Sequence, residues 1–113
     1  MRHVVTAEDT ARALGSGDVE VLGTPRLLAW IEAATVEAAA HHVPDGSTSV
    51  GRSVELAHRR PTAVGAAVEV VADDPVVEGH SLVFDVRAVD DEGRLVADGR
   101  VTRVVVDRAR FDA

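Results

Sequence analysis

Residues 24–42 read as one long helix and nearly everything after them as strand, an order that leaves few ways to bury both. Thr24-Pro25 sets a hydroxyl residue suited to the N-cap before a proline at the first helical position, where its missing N–H costs nothing. Helix-favouring residues run on to His41-His42, and Pro44-Asp45-Gly46 breaks them. Leu27, Leu28, Ile31, Ala34, Thr35 and Ala38 recur at helical spacing on one broad face. A helix of about seventeen residues at ~1.5 Å per residue lies across a whole sheet.

The strands follow by alternation. Val50, Val54, Leu56 and His58 share one parity, against Gly51, Ser53, Glu55 and Arg59 on the other, as a half-buried antiparallel strand requires. Ala66–Asp73 alternates Val68, Val70 and Ala72 with Glu69 and Asp73, and Val76-Val77 reads as its continuation beyond a bend at Asp74-Pro75. Leu82, Phe84, Val86 and Ala88 alternate with Asp85 and Arg87. Asp91-Glu92-Gly93 forms a hairpin turn into a final strand, Leu95–Val106, with Gly99 a bulge or a close contact. Ahead of the helix, Thr6–Leu14 reads as a brief helix or ordered loop ended by Gly15-Ser16-Gly17, and Val19–Leu22 as a short strand or bridge. A sheet curled around a central helix satisfies every apolar face in that order, which is the α+β layout of the hot dog fold. With 113 residues the chain is one domain, 1–113, too small to enclose a deep private cavity, so a cleft shared between subunits is expected.

Composition removes whole chemistries. Cys is absent, which excludes disulfides and thiolate nucleophiles, and all twelve basic residues are Arg, which excludes a Schiff-base or P-loop lysine. A net charge of −7 with 3 % aromatic residues argues against nucleic acid as a partner. No stretch of ~20 apolar residues occurs, so no membrane association is expected, and the lack of an apolar leader in MRHVVTAEDT points to the cytoplasm.

Of five histidines, four have plain readings. His3 sits at a mobile end, His41 and His42 suit the dipole of the last helical turn, and His80 opens a strand at the surface. No spacing of His with acidic residues suits a metal, and none is expected. His58 differs, because its parity pushes a titratable ring toward apolar surroundings beside Arg59-Arg60. It is either a hydrogen-bonded core histidine or a catalyst. Glu32, in mid-helix among Ala and Ile, is either solvated or in need of a partner.

The pattern Thr24-x7-Glu32, then Gly51, then His58, continuing through Gly99-x-x-x-Arg103 to Phe111, resembles the fluoroacetyl-CoA thioesterase family of the hot dog superfamily. The resemblance spans roughly Val19 to Phe111. It implies hydrolysis of an acyl thioester with Thr24, Glu32 and His58 as the catalytic set, and Gly51 offering a backbone N–H near the thioester carbonyl. Arg59 and Arg103 become substrate-binding candidates, with Arg52 and Arg60 as further groups able to hold coenzyme A phosphates. Coenzyme A enters as part of the substrate, and no separate cofactor is implied. The chain departs from the family's fluoroacetyl-selective enzyme in two places. No aromatic residue precedes Thr24 where that enzyme has a Phe-bearing lid, and Pro25 stands in place of Gly. A general acyl thioester, carried by coenzyme A or by a protein-bound pantetheine, is therefore the expected substrate.

Geometry adds a condition. Thr24 and Glu32 lie ~12 Å apart along one helix, too far for contact within one chain. A compact site then needs Glu32 to meet groups of a second subunit, or a substrate that spans the gap, and a symmetric homodimer is expected. The alternative on the same scaffold is a non-catalytic hot dog module that binds a small hydrophobic or acyl ligand in the same cleft.

Overall fold

The computed structural model describes residues 1–111. Its elements are β1 (Arg2–Val4), α1 (Ala11–Leu14), α2 (Thr24–Ala39), β2 (Ser47–His58), β3 (Ala67–Ala72), β4 (Val76–Glu78), β5 (Ser81–Asp90) and β6 (Leu95–Asp107), with a 3-10 turn at Arg108–Arg110. The strands form one antiparallel sheet in the order β1-β3-β5-β6-β2, and β4 pairs with β5 beyond the break after β3. The long helix packs across the sheet, as the hot dog layout requires. Leu27 and Ile31 are fully buried against Val68, Val70, Leu82, Phe84 and Val101. Thr35, also fully buried, donates its hydroxyl to the Glu32 carbonyl at 2.7 Å, so its burial leaves no polar group unpaired.

Three local readings are corrected. Gly23, rather than Thr24, is the N-cap: the helix starts at Thr24 with Pro25 in its first turn, and the Thr24 hydroxyl makes no capping bond. The helix ends at Ala39 and tightens into a 3-10 turn over Ala40–His42. His3 is not at a loose end: it lies in β1 opposite Val68 and stacks on Trp30, ring centroids 4.3 Å apart and planes within 2°. Burial against that ring lowers the His3 pKa, so the stack is between neutral rings.

The most consequential difference lies in β2. Gly51 pairs with Arg103 and Ser53 with Thr102, so Arg52 is an extra residue, a β-bulge. Across the bulge the alternation slips by one. Gly51 therefore joins Val54, Leu56 and His58 on the helix-facing side, opposite Arg103, Val101, Gly99 and Ala97, while Val50 moves to the outer side. Strict alternation over Val50–Arg59 does not hold, because one residue of the run contributes nothing to the ladder.

β2 is also the sheet's edge, and Val50 and Val54 remain 37 % exposed on it. Gly99 is a close contact rather than a bulge: a Cβ there would collide with the Glu55 carbonyl and sit 3.0 Å from the Leu56 Cα. Gly99→Ala is accordingly expected to cost about 1–3 kcal/mol and to lower Tm by several degrees in a thermal melt, and an unchanged Tm would contradict this contact.

Candidate active site

The start of α2 and the end of β2 meet at Thr24 and His58. Thr24 Oγ1 lies 2.8 Å from His58 Nδ1. Because Thr24 is not the cap, its hydroxyl is free to donate to a neutral imidazole, and the first turn of α2 adds the positive end of the helix dipole beside it. His58 is half-buried, and burial lowers its pKa from 6.5, offset in part by the Arg60 backbone carbonyl. Nε2 is buried without a hydrogen-bond partner among the described residues. With the ring proton on Nε2, Nδ1 is the nitrogen that accepts from the Thr24 hydroxyl. A cleft of ≈ 310 Å³ opens here, lined by Thr24, His58, Arg60 and Pro61 on one side and Gly17, Val19 and Leu22 on the other.

A second cluster sits further along the same helix. Glu32 projects over the bulge in β2, where a Cβ on Gly51 would come within 2.8 Å of its Oε2. A side chain at position 51 would push this carboxylate aside. Arg103, 6 % exposed, lies beneath: its Nη1 is 3.8 Å from Glu32 Oε2, its Nε donates to Ser49 Oγ at 2.9 Å and its Nη2 to the Ser49 carbonyl at 3.0 Å. Its guanidinium is occupied in tying Glu32 to β2, so Arg103 sits under the carboxylate rather than out in solvent where a phosphate would lie. Arg59 is likewise engaged, its Nε 2.7 Å from Asp98 Oδ1.

The structure therefore joins Thr24 with His58, and Glu32 with Gly51 and Arg103, but it does not join the two groups within the chain. They lie ~12 Å apart along α2 and ~20 Å apart along β2. Ser49 and the bulge at Arg52 escaped the sequence reading, since a serine in a strand and one residue of a run carry no local signal. Among the described residues no group of three or more His, Asp or Glu side chains could hold a metal ion. A hollow of ≈ 830 Å³ lies on the outer side of the sheet, where Arg59, Arg87 and Arg100 are already paired with Asp98, Asp73 and Asp85. It is a solvated, ion-paired trough that contains none of Thr24, Glu32, Gly51, His58 and Arg103.

Comparisons with known proteins give the family and the fold. The profile of the fluoroacetyl-CoA-specific thioesterase family matches residues 5–109. A solved structure of the fluoroacetyl-CoA thioesterase FlK is 28 % identical, with a TM-score of 0.89 over 99 % of this chain and 87 % of that one. A thioesterase-superfamily protein of Thermus thermophilus, 28 % identical, superposes with a TM-score of 0.90 over 99 % of this chain and 82 % of its own. A hot-dog-like protein of Thermanaerovibrio acidaminovorans is 30 % identical, with a TM-score of 0.82 over 99 % and 82 % of the two chains. No functionally curated protein matches the sequence. With its matched span covering nearly the whole chain and its fold that of these neighbours, the protein belongs to the fluoroacetyl-CoA-specific thioesterase family and is a hot dog-fold hydrolase of acyl-CoA thioesters.

Proposed function

We propose that the catalytic site is assembled between two copies of the chain, with Thr24 and His58 from one and Glu32, Gly51 and Arg103 from the other. The observation that carries this reading is the separation just described, together with the free edge of β2. A long unpaired edge strand with exposed Val50 and Val54 is a template for a second strand. Antiparallel pairing of β2 with its own copy, about a two-fold axis near Val54 and Glu55, exchanges the strand's two ends. It sets Gly51 beside the partner's His58, on the helix-facing side of both strands because of the bulge.

In this arrangement the thioester carbonyl sits at the junction. His58 Nδ1 takes the proton from Thr24 Oγ1, which attacks the carbonyl carbon. The C–S bond breaks and the imidazolium returns the proton to the leaving thiolate. Water then attacks the acyl-threonine ester, passing a proton to Glu32; as the ester C–O bond breaks, that proton goes on to Thr24 Oγ1, so the hydroxyl and the carboxylate are both restored and the carboxylic acid leaves. The Gly51 backbone N–H and the start of α2 face the oxygen on which negative charge develops. A homologous FlK variant in complex with fluoroacetate and CoA, and another with acetyl-CoA, support coenzyme A as the carrier in this chain too. With no aromatic ahead of Thr24, the acyl group is a general short one rather than a fluorinated one.

Release of free thiol from a panel of short acyl-CoAs tests the assignment. His58→Ala and Glu32→Ala are expected to slow turnover by ~10²-fold or more, and Thr24→Ala at least as much, while Tm stays near wild type. Near-wild-type turnover in Thr24→Ala would remove the hydroxyl as nucleophile. Ligand-induced thermal stabilisation without turnover of any thioester would favour the binding module instead.

The pH dependence carries a sign. Because burial holds the His58 pKa below 6.5, the ring stays neutral through pH 7, and kcat/KM is expected to fall only below that ordinary value as the base is protonated. An acid limb centred above 6.5, or one that persists in His58→Ala, would show that another group titrates.

A further inference from the structure

Arginine pairing singles out a second feature of the same cleft. Eight of the twelve arginines lie within ion-pair distance of a carboxylate. Among the described residues the four that do not are Arg52, Arg60, Arg108 and Arg110. In a chain of net charge −7, unpaired cations mark where an anion is wanted. Their placement is not scattered. Arg60 follows the C-terminal end of β2 and lines the Thr24–His58 cleft. Arg108 and Arg110 lie at the strand's other end, where the Arg108 N–H donates to the Gly46 carbonyl at 3.1 Å. All three side chains are exposed.

We propose that Arg60 of one subunit and Arg108 and Arg110 of the partner subunit form a clamp for the phosphates of coenzyme A. The proposal rests on the two-subunit site above, since the same two-fold axis that sets Gly51 beside the partner's His58 brings the 46–47 end of β2 level with the partner's residues just beyond His58. Reach is consistent. From Gly51, at the carbonyl, to Gly46, at the clamp, is five residues or ~16 Å of strand. The pantetheine arm has the bond count of roughly four extended residues and spans ~14 Å. In this register the partner's Arg60 is level with Ser49, about 8 Å short of the 46–47 end, so a phosphate held between the two lies within side-chain reach of all three guanidiniums, which can donate in pairs to phosphate oxygens. Arg59 and Arg103, the sequence-level candidates for this task, are held by Asp98 and by Glu32 with Ser49.

The variant Arg60→Ser/Arg108→Ser/Arg110→Ser tests this, with Arg87→Ala, on the outer side of the sheet, as the control. KM for an acyl-CoA is expected to rise at least ~10-fold with kcat little changed, while KM for the matching acyl-pantetheine, which lacks phosphates, stays where it was. Arg87→Ala leaves both unchanged. Calorimetric titration reads the clamp without turnover: wild type holds CoA at least ~10-fold more tightly than pantetheine, and the triple variant holds the two alike. Equal affinity in wild type overturns the clamp. If 4′-phosphopantetheine binds as tightly as CoA, the assignment to free CoA falls. A wild-type protein that prefers CoA to pantetheine yet hydrolyses no thioester overturns the catalytic reading and leaves the clamp standing.

Discussion

Gly51 and His58 are seven residues apart, and on an unbroken strand residues an odd number apart face opposite sides of the sheet. The extra residue at Arg52 removes that conflict. One bulge places the glycine that makes room for Glu32 and the histidine that contacts Thr24 on the same helix-facing side, so α2 meets both. Bulges re-aim side chains and interrupt pairing at the cost of one lost ladder position. Here the lost position falls in the ladder between β2 and β6, on the strand at the edge of the sheet. The local backbone irregularity and the chemistry of the site are thus one feature.

Around this strand the polar groups divide by function. Arg103 is buried, and its donors run to Ser49 and toward Glu32, which fixes the carboxylate on β2 rather than leaving it to sweep through solvent. On the outer side of the sheet, Arg87 and Arg100 face Asp73 and Asp85 across strands, and such exposed pairs contribute well under ~1 kcal/mol each but keep that surface polar. Among the described residues, the arginines with no carboxylate in range lie at the ends and the bulge of β2. A protein with twelve arginines and a net charge of −7 can attract a highly anionic ligand only where local charge escapes neutralisation.

Much of the fold was legible because alternation and helical periodicity are strong local signals. Leu82, Phe84, Val86 and Ala88 are all buried as their parity required, and Leu27, Ile31, Ala34 and Thr35 form the helix face that packs. The hot dog layout followed from element order alone. What could not be read was whatever depended on a single residue or a distant partner. Thr24-Pro25 carries the pattern of a cap, yet Gly23 caps the helix and the hydroxyl turns to an imidazole 34 residues on. Arg103 reads as a substrate-binding candidate in the sequence, and only the strand order puts it under Glu32. His3 looked loose until its ring met Trp30, because stacking across 27 residues leaves no trace in spacing.

The central claim is that Thr24 and His58 act with the partner's Glu32, and mixed dimers test it most directly. His58→Ala and Glu32→Ala chains, carried on two different tags and purified as the heterodimer, give one site that has lost both groups and one that retains all of them. Turnover is predicted to recover to about half the wild-type rate per dimer, although each homodimer alone is nearly inactive. A heterodimer no more active than either parent would place His58 and Glu32 of the same chain in one site and contradict the account.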